Sequence, residues 1–439
     1  MKHVRSFMMI SFWVISIPGL MVAQGQKQKI DTTLNFDSFF IQKSLRIDFI
    51  LAGNHTNETA CLQQMKQEPN WGGNKKRLID PLDLGSYRVM VTDSASGKVI
   101  FTKGFSTLFQ EWRGTPEANL LNRAFEQTVI LPFPKKIMKV SIQERAFSDG
   151  HFFTLLDLMI NPNDYNIVRE KPQSYPFIKF RDQGDPAQRV DVAILPEGYT
   201  SEEMSKFIKD AQIMSDYFLT VTPFSENKTK FNFYAIIAPS IESGVDIPGR
   251  GKYSNTAVNS TFYTFGMDRY LTTSDTRKIY DIAAVVPYDA VFILVNSNMY
   301  GGGGFYNLYA EITADNPWSK IAGVHEFGHS FAGLADEYMG DVNYSDTYNL
   351  KVEPWEPNIT TNVDFSSKWQ TMIQPETPVP TPRTNDYKNS VGMFEGGGYV
   401  TKGIYSPFED CRMKSNEATG FCPVCQRAIR RMIQYYTGE

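Results

Sequence analysis

The chain has 439 residues, long enough for two domains with a sizeable core. Its 42% hydrophobic and 13% aromatic content, with 31 Gly and 24 Pro, is that of an ordinary globular protein and excludes a disordered or collagen-like chain. A net charge of −4 gives no argument for binding nucleic acid or an anionic membrane.

The first residues read as an export signal. Lys2 and Arg5 precede an apolar run over 7–22, broken by Pro18 and Gly19, and Ala23 offers a small residue for cleavage. The run is too short and interrupted for a membrane anchor, and no later stretch is long and apolar enough to span a bilayer. Residues 1–23 are therefore expected to be removed, leaving a mature chain without a membrane span, periplasmic or extracellular.

Residues 24–170 read as a β domain. Short, partly alternating runs at 45–50, 87–92, 99–101, 127–131 and 138–142 are separated by turn signals, a pattern that predicts a β-sandwich. Residues 54–73 read as a long polar loop. His55 and His151 lie in this half without other catalytic residue types around them and read as structural. The polar, Pro-containing stretch 161–177 reads as a linker into a second domain, 171–439.

The second domain opens on a buried-looking strand, residues 189–195. Thr200 then starts a helix, with Glu203 completing a capping box and Met204, Phe207, Ile208, Ala211 and Phe218 forming an apolar stripe that reads as core. Strands are expected at 231–238 and 290–295, with loops near a cleft over 240–272. Strands alternating with helices predict a twisted mixed sheet packed on helices. The glycines Gly301 to Gly304 lack the ending of a phosphate loop. They read as an edge along which a peptide backbone can approach as an added strand.

The stretch 315–340 carries the chemistry. His325-Glu326-Phe327-Gly328-His329 is an HExxH motif. Residues four apart share a helix face, so His325 and His329 can point two imidazoles at one ion. Glu326, one step round, can take a proton from a metal-bound water. Two of only five His fall at this spacing. Asn316 and Pro317 are suited to the helix start and Gly333 to its end.

A catalytic zinc takes three protein ligands and keeps one open position. No other His follows in the C-terminal half, so the third ligand is expected to be a carboxylate: Asp336 first, Glu337 second, a glutamate from a later helix third. The pattern HExxHxxGxxH is not met, because Gly333 comes one residue late and Ala335 occupies the third His position.

After this helix, the Pro- and Asn-rich stretch 354–385 reads as a surface excursion. Met413 is a candidate for a Met-containing turn under the metal, acting as a packing floor. Tyr338 and Tyr405 are candidate hydrogen-bond donors to an oxyanion. Cys411, Cys422 and Cys425 cluster near the C-terminus, and Cys61 lies far upstream. In an exported chain they most simply pair as disulfides, Cys411 with Cys422 or Cys425; a Cys₃ zinc site lacks a nearby fourth His. The chain ends in a helix after Pro423, with Ile429, Met432 and Ile433 on one side.

HEFGHSFAGLADEY resembles the signature of the IgA peptidase family of zinc metallopeptidases. The likeness extends to residues 191–204 and to the Cys/Met segment. It implies an α+β two-domain chain, with the β-sandwich followed by a metzincin-like α/β zinc-peptidase domain. It also implies one catalytic Zn²⁺ and protein or peptide substrates, immunoglobulin A or other host and extracellular proteins among them. A zinc amidase acting on cell-wall or other non-protein amides would use the same site, and a binding protein with a structural metal is the rival from outside the enzymes.

Overall fold

The computed structural model describes residues 34–171, 173–340 and 348–439. The expected signal segment 1–23 lies outside them. The described residues pack as one unit.

The N-terminal half builds two four-stranded sheets. One has the order β5-β1-β2-β8, from β1 (Phe40–Gly53), β2 (Glu58–Glu68), β5 (Arg123–Pro134) and β8 (Ile167–Val168). The other has the order β4-β3-β6-β7, from β3 (Tyr87–Asp93), β4 (Val99–Phe105), β6 (Met138–Arg145) and β7 (Phe152–Ile160). Tyr87, Val89 and Val91 of β3 alternate inward and share one apolar cluster with Phe49, Leu51, Val129 and Leu131 of the first sheet. Two short helices, α1 (Phe36–Phe39) and α2 (Leu108–Arg113), flank these strands.

Residues 54–73 are not a loop. They contain β2, whose sequence ETACLQQMKQE is mostly polar and lies half exposed, so it carries no apolar alternation to read. The expected linker 161–177 contributes β8, which adds in parallel to β2.

The C-terminal half is organised on a six-stranded mixed sheet of order β13-β14-β12-β10-β11-β9. Its strands are β9 (Phe177–Arg181), β10 (Val190–Glu197), β11 (Phe231–Ile236), β12 (Ala290–Val295), β13 (Gly302–Phe305) and β14 (Tyr309–Thr313). The four central strands run parallel and both edges antiparallel. Strand β10 is buried throughout, as expected of a parallel strand covered on both faces. Thr200 and Glu203 form the expected capping box ahead of α3 (Met204–Phe218). Helix α4 (Thr276–Ala283) precedes β12, and α5 (Ser319–Ala332) packs on β13 and β14. A hairpin of β15 (Phe394–Gly397) and β16 (Val400–Ser406) and the terminal helix α6 (Pro423–Thr437) complete the chain.

Helix α5 is held by aromatic packing. Phe327 and Phe331 stand four apart with ring centroids 5.1 Å from each other, and Phe218 of α3 meets Phe327 edge-on at 4.7 Å. Both α5 rings are fully buried, which at the usual transfer value stabilises the helix by about 3–6 kcal/mol. That anchorage lets the opposite face carry polar residues.

The stretch 354–385 departs from the expected surface excursion at its start. Asn358, Ile359 and Thr360 are fully buried, and Trp369 donates its indole N–H to Gly392 O at 2.6 Å.

Candidate metal centre

Helix α5 begins three residues after Asn316. Asn316 still serves its start, since its side chain accepts from Trp318 N–H at 3.0 Å and its backbone N–H bonds Ser319 Oγ. The helix ends where expected. Gly333 adopts φ 61°, and Leu334 N–H reaches back to Gly328 O at 3.2 Å. That left-handed turn sends residues 334–337 back beneath the helix.

The fold-back brings three ligand atoms together. His325 Nε2 and His329 Nε2 are 3.1 Å apart, and Asp336 Oδ1 lies 3.1 Å from the first and 3.4 Å from the second. His325 Nδ1 donates to Arg412 O at 2.9 Å and His329 Nδ1 to Leu334 O at 2.5 Å. A carbonyl can only accept, so both Nδ1 atoms carry hydrogen, and both rings turn Nε2 toward each other and toward a carboxylate. Three acceptors facing one point need a cation between them. Asp336 Oδ1 is accordingly buried without a hydrogen-bond donor. Donors about 2.0–2.1 Å from a tetrahedral zinc lie about 3.3–3.4 Å apart, so the observed triangle fits such an ion.

Charge follows the same logic. Burial would raise the Asp336 pKa, but the adjacent His329 and His325 hold it well below the carboxylate range. Burial disfavours an imidazolium at His329, yet the Asp336 charge lifts its pKa to about 9, so a proton competes with a metal ion for the position between them. Glu326 sits beside the pair, with one carboxylate oxygen within 4.8 Å of both ring nitrogens, and burial pushes its pKa up against the pull of the two His.

Comparison with known families returns the IgA peptidase M64 family over residues 178–389 and 383–433, and the peptidase M64 N-terminal domain over residues 35–154. The chain belongs to the IgA peptidase M64 family. No curated protein matches it. As an M64 peptidase it is a metallopeptidase, a hydrolase acting on protein or peptide substrates, and its N-terminal β region is that family's own N-terminal domain. Among the described residues no helix is long and apolar enough to cross a membrane.

Several residues that support the M64 site lay beyond sequence reasoning. The hydroxyl of Tyr399 donates to Asp336 Oδ2, which leaves Oδ1 to face the two His. Asn358 brackets the ligand loop, accepting from Ala335 N–H and donating to Ala335 O, both at 2.8 Å. Neither residue belongs to a motif, and each acts from a hairpin or loop remote in sequence. Glu111 of α2, from the N-terminal domain, accepts the hydroxyl hydrogen of Tyr270 at the rim.

The remaining expected residues fall as follows. Met413 is buried in a turn beneath α5, where a Cβ at Gly328 would lie 2.9 Å from its sulfur. Tyr338 is half-buried, its ring edge-on to Tyr399 at 5.1 Å. Burial and the Asp336 charge push its pKa far up, so it stays a hydrogen-bond donor. Tyr405 pairs its backbone with Thr360, and its hydroxyl makes no hydrogen bond among the described residues. Glu337 turns away from the His pair toward the cysteines. The expected disulfide is absent: all four Cys are free thiols here.

The glycine run serves packing. Strand β13 lies against α5, and a Cβ at Gly304 would come within 2.3 Å of Glu326 O and 3.0 Å of His329 Cβ. Its outer edge is partly covered, because Leu271 N–H reaches Gly302 O at 3.4 Å and Tyr270 forms a bridge to Gly302.

Proposed function

We propose that this M64 peptidase is an exported zinc endopeptidase of metzincin-like architecture, with His325, His329 and Asp336 as the metal ligands and Glu326 as the general base. The observation that carries the reading is the convergence of two imidazole nitrogens and one carboxylate oxygen, each tied down on its far side. Three protein donors leave a fourth position open, the pattern of catalytic rather than structural zinc. The metzincin-like reading is supported by an antiparallel edge strand beside the helix, a ligand supplied after a Gly turn, and Met413 in a turn beneath it.

When bound, zinc polarises a carbonyl and lowers the pKa of water toward ~7. The chain's own residues do the rest. Glu326 accepts a proton from the attacking water and passes it to the leaving amine nitrogen. Burial raises its pKa above the ordinary carboxylate value, which strengthens it as a proton acceptor. The Tyr338 hydroxyl, beside Asp336, is the donor we assign to the oxyanion. Substrates are proposed to include immunoglobulin A or other host and extracellular proteins, reached by export past the 1–23 signal.

The test is Glu326→Ala. The variant should bind one catalytic zinc as wild type does, while hydrolysis of a denatured-protein or peptide-library substrate falls by roughly 10² or more. Near-wild-type hydrolysis by that variant would exclude Glu326 as the base.

A further inference from the structure

On the far side of the ligand loop lies a second cluster that catalysis does not use. Glu337, Cys411, Cys422 and Cys425 are all fully buried, and one ligand atom from each lies within 4.8 Å of every other. Cys411 Sγ is 3.7 Å from Cys425 Sγ, and Glu337 Oε1 is 3.0 Å from Cys425 Sγ and 3.9 Å from Cys422 Sγ. With Zn–S near 2.3 Å, a tetrahedral ion separates two thiolates by about 3.8 Å and a thiolate from a carboxylate oxygen by about 3.5 Å.

The surroundings suit thiolates. Cys422 N–H points to Cys411 Sγ at 3.3 Å and Cys425 N–H to Cys422 Sγ at 3.5 Å. Cys422 caps the 15-residue helix α6, whose N-terminal potential favours negative sulfur. Glu337 supplies an independent sign of a missing partner. Its Oε2 is buried without a hydrogen bond, and no cationic side chain pairs with it among the described residues. Asn358 donates to Oε1 at 2.9 Å, which is how an outer residue orients a ligand carboxylate.

We propose that Glu337, Cys411, Cys422 and Cys425 bind a second zinc ion in a closed, four-ligand structural site. The ion would join three pieces of chain: the loop that carries Asp336, the turn that carries Arg412 and Met413, and the start of α6. That junction bears on the catalytic ligands directly. Glu337 N–H donates to Met413 O at 2.7 Å, and the carbonyl that accepts from His325 belongs to Arg412, next to Cys411. A CxxC at a helix start supplies two of the ligands; the fourth was not apparent in sequence because it comes from the loop after the HExxH helix.

The experiment measures metal content and zinc-edge X-ray absorption of the full chain. Wild type should hold about two zinc per chain and the double variant His325→Ala/His329→Ala about one, with a sulfur-rich shell. Adding Cys422→Ser to that background should remove it. Should that triple variant fail to fold, anomalous diffraction from wild type decides, with a second zinc peak among the three sulfurs as the supporting result. A double variant that folds without zinc, or mass spectrometry showing a disulfide among Cys411, Cys422 and Cys425 in freshly purified protein, would overturn the site while leaving the catalytic reading intact.

Discussion

Removing the Tyr399 hydroxyl tests the support it gives to Asp336. Tyr399 donates to Asp336 Oδ2, while Oδ1 faces the two His at 3.1 and 3.4 Å. Tyr399→Phe keeps the ring that stands edge-on to Tyr338 and deletes the hydroxyl, which bonds Asp336 and also meets the Tyr338 side chain. A hydrogen bond to a charged acceptor contributes about 1.5–3 kcal/mol. Part of that loss falls on the metal-free state as well, because the same bond exists there. Loss of a residue orienting a ligand commonly weakens metal binding by about 10–100-fold, and at about 1.4 kcal/mol per tenfold this is the range expected here. The assay is competition for zinc against a chelator of known affinity at fixed pH, paired with kcat/KM at saturating zinc. Affinity should fall while kcat/KM at saturation recovers to within a few-fold of wild type. Unchanged zinc affinity with depressed kcat/KM would refute the reasoning, because it would place Tyr399 on the substrate instead of on Asp336.

Two further expectations come from the sheet beside the helix. Gly304→Ala puts a Cβ into Glu326 O and against His329 Cβ, so β13 must shift off α5; overpacking of this kind costs about 1–3 kcal/mol, read as a lowered Tm together with reduced activity. A fully stable and active Gly304→Ala protein would remove the packing explanation of the glycine run. Glu311 of β14 is fully buried, neither carboxylate oxygen has a hydrogen-bond partner, and burial raises its pKa from 4.5 to about 8. The folded state therefore holds this proton more tightly than the unfolded one, so the group's contribution is full below pH ~4.5 and is lost as pH rises through ~8, by at most about 5 kcal/mol. Glu311→Gln should show a smaller decline in Tm between pH 5 and 8.5, and should exceed wild type in stability at the upper end. Parallel curves for the two proteins would show that Glu311 is not the group responsible.

The HExxH helix was readable from sequence because each of its signals is local. The HExxH spacing follows from the helical period, and Gly333 marks a left-handed turn that few other residues accept. The strands of the C-terminal sheet were readable because buried parallel strands are near-continuous apolar runs, as at residues 190–195, broken only by Asp191, and 290–295. Strand β2 was not, because its polar side chains stay half exposed and its pairing with β1 is made by backbone. Tyr399, Asn358 and Glu337 were equally hidden as partners. Each meets the site through a contact between segments distant in sequence, and residue type alone does not say which tyrosine or asparagine will arrive.

Asp336 and Glu337 show how one short loop can hold both clusters. The segment after Gly333 runs without helical structure, and successive side chains of an extended chain point to opposite sides. Asp336 accordingly faces the His pair on α5, and Glu337, its neighbour, faces the sulfurs of Cys411 in the Met413 turn and of Cys422 and Cys425 at the start of α6. Each carboxylate has a neutral side-chain donor on one oxygen, the Tyr399 hydroxyl or the Asn358 amide, and each leaves an oxygen buried without a donor. An unpartnered buried carboxylate oxygen is costly wherever it occurs. Asp336 Oδ1 is turned toward two further ligand atoms, whereas at Glu337 the oxygen held by Asn358, Oε1, lies against the sulfurs and Oε2 is left without a partner; a cation on each side of the loop would compensate both carboxylates. The arrangement also accounts for the position of Asp336. Relative to HExxHxxGxxH the helix is one residue longer before its glycine, while Asp336 keeps the three-residue step after it, so the same fold-back delivers a carboxylate where that pattern delivers an imidazole.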